Sequence, residues 1–138
     1  MIIDLLFLFI IHFIADFGLQ SRKMGLNKGK SLMWLSMHVG VYLITLLIFG
    51  LIFGQHLLDS NDMYPIFKYC LLNGAIHWVT DFITSKGSGY SYVQMLKYES
   101  ENNDKKKYQW QYVFWLVIGF DQLLHIITLM LTYQYFFM

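Results

Sequence analysis

Four long apolar runs constrain this chain more than any other feature: Ile2 to Leu19, Leu32 to Phe53, Ile66 to about Thr84, and Tyr112 to about Tyr133. Each approaches the ~20 residues that an α-helix needs to cross the hydrocarbon core of a bilayer. The sequence is 57% hydrophobic and only 14% charged, too little charge for a soluble domain of this size to cover its core. The expectation is an all-α, integral membrane four-helix bundle, a single transmembrane domain over 1–138 with helices at about 2–19, 32–53, 66–84 and 112–133. The first run carries Asp4, lacks a basic leader and is followed by further spans, so it reads as a retained helix rather than a secretory signal.

The loops set the orientation. Arg22, Lys23, Lys28 and Lys30 lie between the first two runs, and Lys86, Lys97, Lys105, Lys106 and Lys107 between the last two. The loop around Asp59, Asp62 and Pro65 holds only Lys68 near its end. By the positive-inside bias both basic loops are cytoplasmic, which leaves both termini and the 54–65 loop outside a multi-pass protein of the cell (inner) membrane. The cytoplasmic loop 85–111 opens on Gly87-Ser88-Gly89 and contains "ESENNDKKK". It reads as a solvated tether with a short interfacial helix near Tyr92 to Tyr98, or as a lid over a cytoplasmic opening. A net charge of +1 with the basic residues confined to loops argues against nucleic-acid binding. Cys70 is the only cysteine, so no internal disulfide or thiolate cluster can form.

Ionisable residues inside the runs are the exception to this oiliness. Away from the run ends, where Asp4 and Lys68 lie, they are His12 and Asp16 in the first, His38 in the second, His77 and Asp81 in the third, and Asp121 and His125 in the fourth. A spacing of four puts both members of a pair on one helix face. Helices one and three read His-x-x-x-Asp while helix four, running the other way, reads Asp-x-x-x-His. The reversal compensates the direction, so all three aspartates are expected nearer the cytoplasm, in a polar core in the cytoplasmic half of the bundle, with the histidines about 6 Å deeper. Gln20, Asn73 and Gln122 fall on the same stripes and are candidates to orient the others, and Lys86 is a candidate to attract an anionic substrate.

Burial of charge decides between the possible roles. An aspartate at mid-membrane costs about 2.5 to 3.5 kcal/mol, so three cost roughly 8 to 10 kcal/mol before any pairing. Apart from Lys68, at the outer end of the third run, no lysine or arginine lies within the runs to compensate. Protonation, histidinium partners or bound metal remain. Four histidines and three carboxylates form a mixed nitrogen and oxygen set suited to zinc first, and to manganese or iron, and poorly suited to calcium. The expected ligands are His12, Asp16, His38, His77, Asp81, Asp121 and His125, enough for one or two divalent ions. Asp16, Asp81 and Asp121 are the candidate catalytic carboxylates, one of them accepting a proton from metal-activated water. A site inside the bilayer but near the cytoplasm makes a membrane lipid or lipid-linked phosphodiester or ester the natural substrate. Two other classes stay open: a divalent-cation or proton conductor, which with four helices would require a homo-oligomer, and a structural or interaction protein whose His-Asp pairs join helices.

The stretches "HFIADFGLQSRKMGLNK", "NGAIHWVTDFITSK" and "FDQLLH", with His38 between the first two, resemble a family of small bacterial and phage integral membrane proteins of unknown function. The resemblance covers most of the chain. It implies a four-helix membrane fold with a polar site at His12, Asp16, His38, His77, Asp81, Asp121 and His125. The pattern is also distantly similar to that of predicted membrane-bound metal-dependent hydrolases, which carry repeated histidines and aspartates in transmembrane helices.

Overall fold

The single proline, Pro65, sits in the first turn of a helix, where its missing N–H has no partner to lose. No helix interior is therefore broken by proline. The computed structural model describes residues 2–53 and 63–138. Helix α1 (Ile2–Phe13) continues into a π-helical turn (Ile14–Gly18), followed by a short α2 (Arg22–Asn27), then α3 (Leu32–Phe53), α4 (Tyr64–Ser100) and α5 (Asp104–Phe137). The described residues are all-α. The expected outer loop, with His56, Asp59 and Asp62, lies outside them as far as residue 62.

Helices α4 and α5 form a long antiparallel hairpin, α3 lies along α4, and α1 leans on α3 and α5. At one end the interior is apolar, built from Leu8, Ile11, Leu46, Ile66, Tyr69, Cys70, Leu129 and Tyr133. An apolar cavity of about 260 Å³ opens there. One level further in, Asn73 Nδ2 donates to Thr132 Oγ1 at 2.9 Å and ties α4 to α5. Beyond that pair the interior turns ionic. The outward faces, by contrast, carry Leu6, Ile44, Leu71, Ile83, Leu116 and Leu131, all more than half exposed. Helices α3 and α5 are long and apolar enough to cross a membrane.

The expected loop 85–111 is corrected by the structure. Helix α4 runs on to Ser100 and α5 begins at Asp104, leaving residues 101–103 as the link. Asn102 takes φ 52°, the left-handed region that asparagine tolerates better than most residues. Asn103 Oδ1 then caps α5 by accepting from Lys106 N at 3.2 Å. The glycines at 87 and 89 do not loosen the helix, because packing across the hairpin outweighs their intrinsic cost of about 1 kcal/mol each. A Cβ at Gly87 would touch Val117 at 3.5 Å, and Tyr90 meets Trp110 edge-on at 5.5 Å. The boundaries expected at 66–84 and 112–133 mark the apolar parts of much longer helices.

Candidate functional site

Asp16 belongs to the π-helical turn, which Leu19 N closes on Ile14 O at 2.8 Å. Such turns insert a residue and re-aim the side chains that follow. His12 and Asp16 still share a face, 4.0 Å apart, but the helix ends before Gln20. His38 comes from α3, His77 and Asp81 from successive turns of α4, and Asp121 and His125 from successive turns of α5. All are buried, Asp81 and His38 completely.

Four atoms converge at the centre. His38 Nε2 lies 2.9 Å from Asp16 Oδ1, 3.1 Å from Asp81 Oδ2 and 3.2 Å from His77 Nε2. His77 Nε2 lies 3.5 Å from Asp16 Oδ1 and 3.7 Å from Asp81 Oδ2. A tetrahedron of donors about 2.0 to 2.1 Å from a zinc ion has edges of about 3.3 to 3.4 Å. The observed separations bracket that length. Asp16 Oδ1 accepts no hydrogen bond although His38 Nε2 is so near. These buried groups can hold a metal ion.

A second set, Asp16, Asp121 and His125, shares Asp16 with the first. His125 Nε2 stands 3.4 Å from both Asp121 Oδ1 and Asp81 Oδ1. Gln122 Nε2 donates to Asp16 Oδ2 at 2.7 Å and to Asp121 Oδ2 at 3.1 Å, and Thr84 Oγ1 donates to Asp121 Oδ1. The rings are aligned by stacking: His77 lies between Tyr42 and His125, each 4.0 Å away centroid to centroid. The Nδ1 atoms of His12, His38 and His77 are buried without hydrogen-bond partners.

Six of the seven expected ligands fall in these two sets; His12 stands beside them, its Nε2 3.2 Å from Gln122 Oε1. Of the residues expected to orient ligands, Gln122 does so. Asn73 instead joins α4 to α5, Gln20 packs against Gly25, and Lys86 lies over the Phe82 ring at 3.6 Å, away from the cluster.

The cation that sequence reasoning missed is Lys28. Its Nζ donates to Asp81 Oδ2 at 3.0 Å and stands 3.5 Å from His38 Nε2. Burial disfavours its charge, but the carboxylates of Asp81 and Asp16 outweigh that and raise its pKa above the ordinary lysine value. Lys28 and Asp121 border a small crevice with Asp81, Thr84, Ser85 and Ser88.

Neither the search of curated proteins nor that of solved structures found a match. A family model described as a protein of unknown function, DUF3307, matches residues 5–138, and the chain belongs to that family.

Proposed function

We propose that this chain is a multi-pass membrane protein whose four long helical segments enclose a divalent metal site, and that it is a metal-dependent hydrolase of a lipid or lipid-linked phosphodiester or ester. The observation that carries the reading is the convergence of His38 Nε2 and His77 Nε2 on Asp16 Oδ1 and Asp81 Oδ2, the nitrogens lying 3.2 Å from each other and 2.9 to 3.7 Å from the two oxygens, with Asp16 shared by a second set. Zinc suits these donors first, and manganese or iron next. Support for the membrane comes from the reversed polarity of the molecule, apolar outside and ionic within.

A divalent ion held there supplies Lewis-acid activation of water and of the scissile group. The chain supplies the rest. His38, His77 and Asp81 would hold the ion from α3 and α4, with Asp16 common to both sets. Asp121 borders the crevice, with Oδ1 held by Thr84 and Oδ2 by Gln122, and as the carboxylate outside the four converging donors it is the one placed to accept a proton from attacking water. Gln122 keeps Asp16 and Asp121 in register. The crevice, of about 20 Å³, has room for a water beside Asp81 and Asp121.

The test begins with elemental analysis of detergent-purified protein beside an Asp16→Ala, Asp81→Ala double variant shown to remain folded. One or two equivalents of zinc, manganese or iron, lost in the variant, support the metal site. Release of a water-soluble head group from phospholipid vesicles by the loaded protein would then support hydrolysis. Absence of metal after reconstitution with each ion would overturn the reading.

A further inference from the structure

We propose that Lys28 is a tethered cation that competes with metal for Asp81 and His38, so that the segment carrying α2 sets how tightly the site is loaded. The inference rests on the metal-site reading above. Lys28 Nζ touches Asp81 Oδ2 at 3.0 Å and His38 Nε2 at 3.5 Å, and both atoms belong to the four converging donors. An ammonium and a divalent ion on the same oxygen repel strongly in a medium of low dielectric. Loading the site therefore requires Lys28 to withdraw. Its side chain retains some exposure where that of Asp81 has none, so the ammonium can withdraw toward its exposed side while Asp81 stays enclosed.

The segment is built to deliver this lysine. Ser21 Oγ caps α2 by accepting from Met24 N, and the turn after α2 is closed by Lys30 N and Ser31 N donating to Asn27 O. Next to Lys28, the backbone of Gly29 lies against α4. A Cβ at Gly29 would stand 2.5 Å from Ser85 O and 3.0 Å from Ser85 C, so only glycine permits the approach. Asp81, one turn before Ser85 on α4, then falls within reach of the ammonium. Among the described residues no other lysine or arginine forms an ion pair with the cluster.

The test is zinc titration against a competing chelator at fixed pH, on the full chain in detergent, comparing wild type with Lys28→Met, Lys28→Arg and Gly29→Ala. Folding of each is checked by circular dichroism and gel filtration. Lys28→Met is expected to bind zinc tighter, on the order of the 10- to 100-fold by which groups around metal ligands tune affinity. Lys28→Arg, which keeps the charge, should stay near wild type, and Gly29→Ala should tighten binding by drawing the ammonium back. Should Lys28→Met not be recovered folded, Gly29→Ala carries the same test. Equal or weaker zinc affinity in the charge-removing variant would overturn the competition and leave the metal site standing. Failure of every protein to bind zinc would overturn both.

Discussion

At the scale of single residues, Asp16 and His12 separate what a polar stripe predicts from what geometry selects. Both lie on the buried face of the first helical segment, yet only Asp16 enters the converging donors, and it enters both sets. Asp16→Asn should therefore remove most of the bound metal, because an amide is a far weaker ligand, whereas His12→Ala should retain most of it. Metal-to-protein ratios of the two purified variants check this; equal loss in both would make His12 a ligand. The cluster was legible because the four-residue spacing survives in the fold: helical period alone aligns His77 with Asp81 and Asp121 with His125. Lys28 was not legible. Its reach depends on a turn and on Gly29 lying against Ser85, a contact between distant parts of the chain that no local period encodes. Asn73 shares the stripe of His77, one turn away, but meets Thr132 first and spends its amide there.

At the scale of elements, the sequence marks the apolar lengths well and the helix ends poorly. The run 32–53 coincides with α3 as far as the described residues go. In α4 and α5 the helix outlasts the apolar stretch, because the hairpin supplies partners such as Tyr90 with Trp110 and Tyr92 with Phe114 to otherwise polar sequence. Glycine and serine at 87–89 suggest a tether only when those partners are unknown. Gly89 gives a direct test, as a Cβ there would meet nothing within 4 Å. Gly89→Ala should stabilise the protein by about 0.5 to 1 kcal/mol through helix propensity and reduced freedom of the unfolded chain. Thermal unfolding in detergent should show a rise of a few degrees. A flexible tether would show none.

At the scale of the whole molecule, the distribution of polarity argues for a bilayer as its solvent. A soluble helical protein buries its leucines and isoleucines; here leucines and isoleucines face outward on every long helix while Asp16, His38, His77, Asp81 and His125 are enclosed. The interior then has to neutralise its own charge, and the fold brings Lys28 in from the basic segment between α1 and α3 to do part of that. If this segment lies at the cytoplasmic face, the link at 101–103 lies on that side too, since α4 carries the chain from Asp81 past Ser85 and on to Ser100. The C-terminus, at the far end of α5, lies opposite. In a Cys70→Ser background, an impermeant maleimide should therefore label Asn102→Cys in inverted inner-membrane vesicles and Met138→Cys in right-side-out ones. Labelling of both from the same side would mean that α5 does not cross, and release of the chain by an alkaline carbonate wash would mean that the outward leucines meet a protein partner rather than lipid.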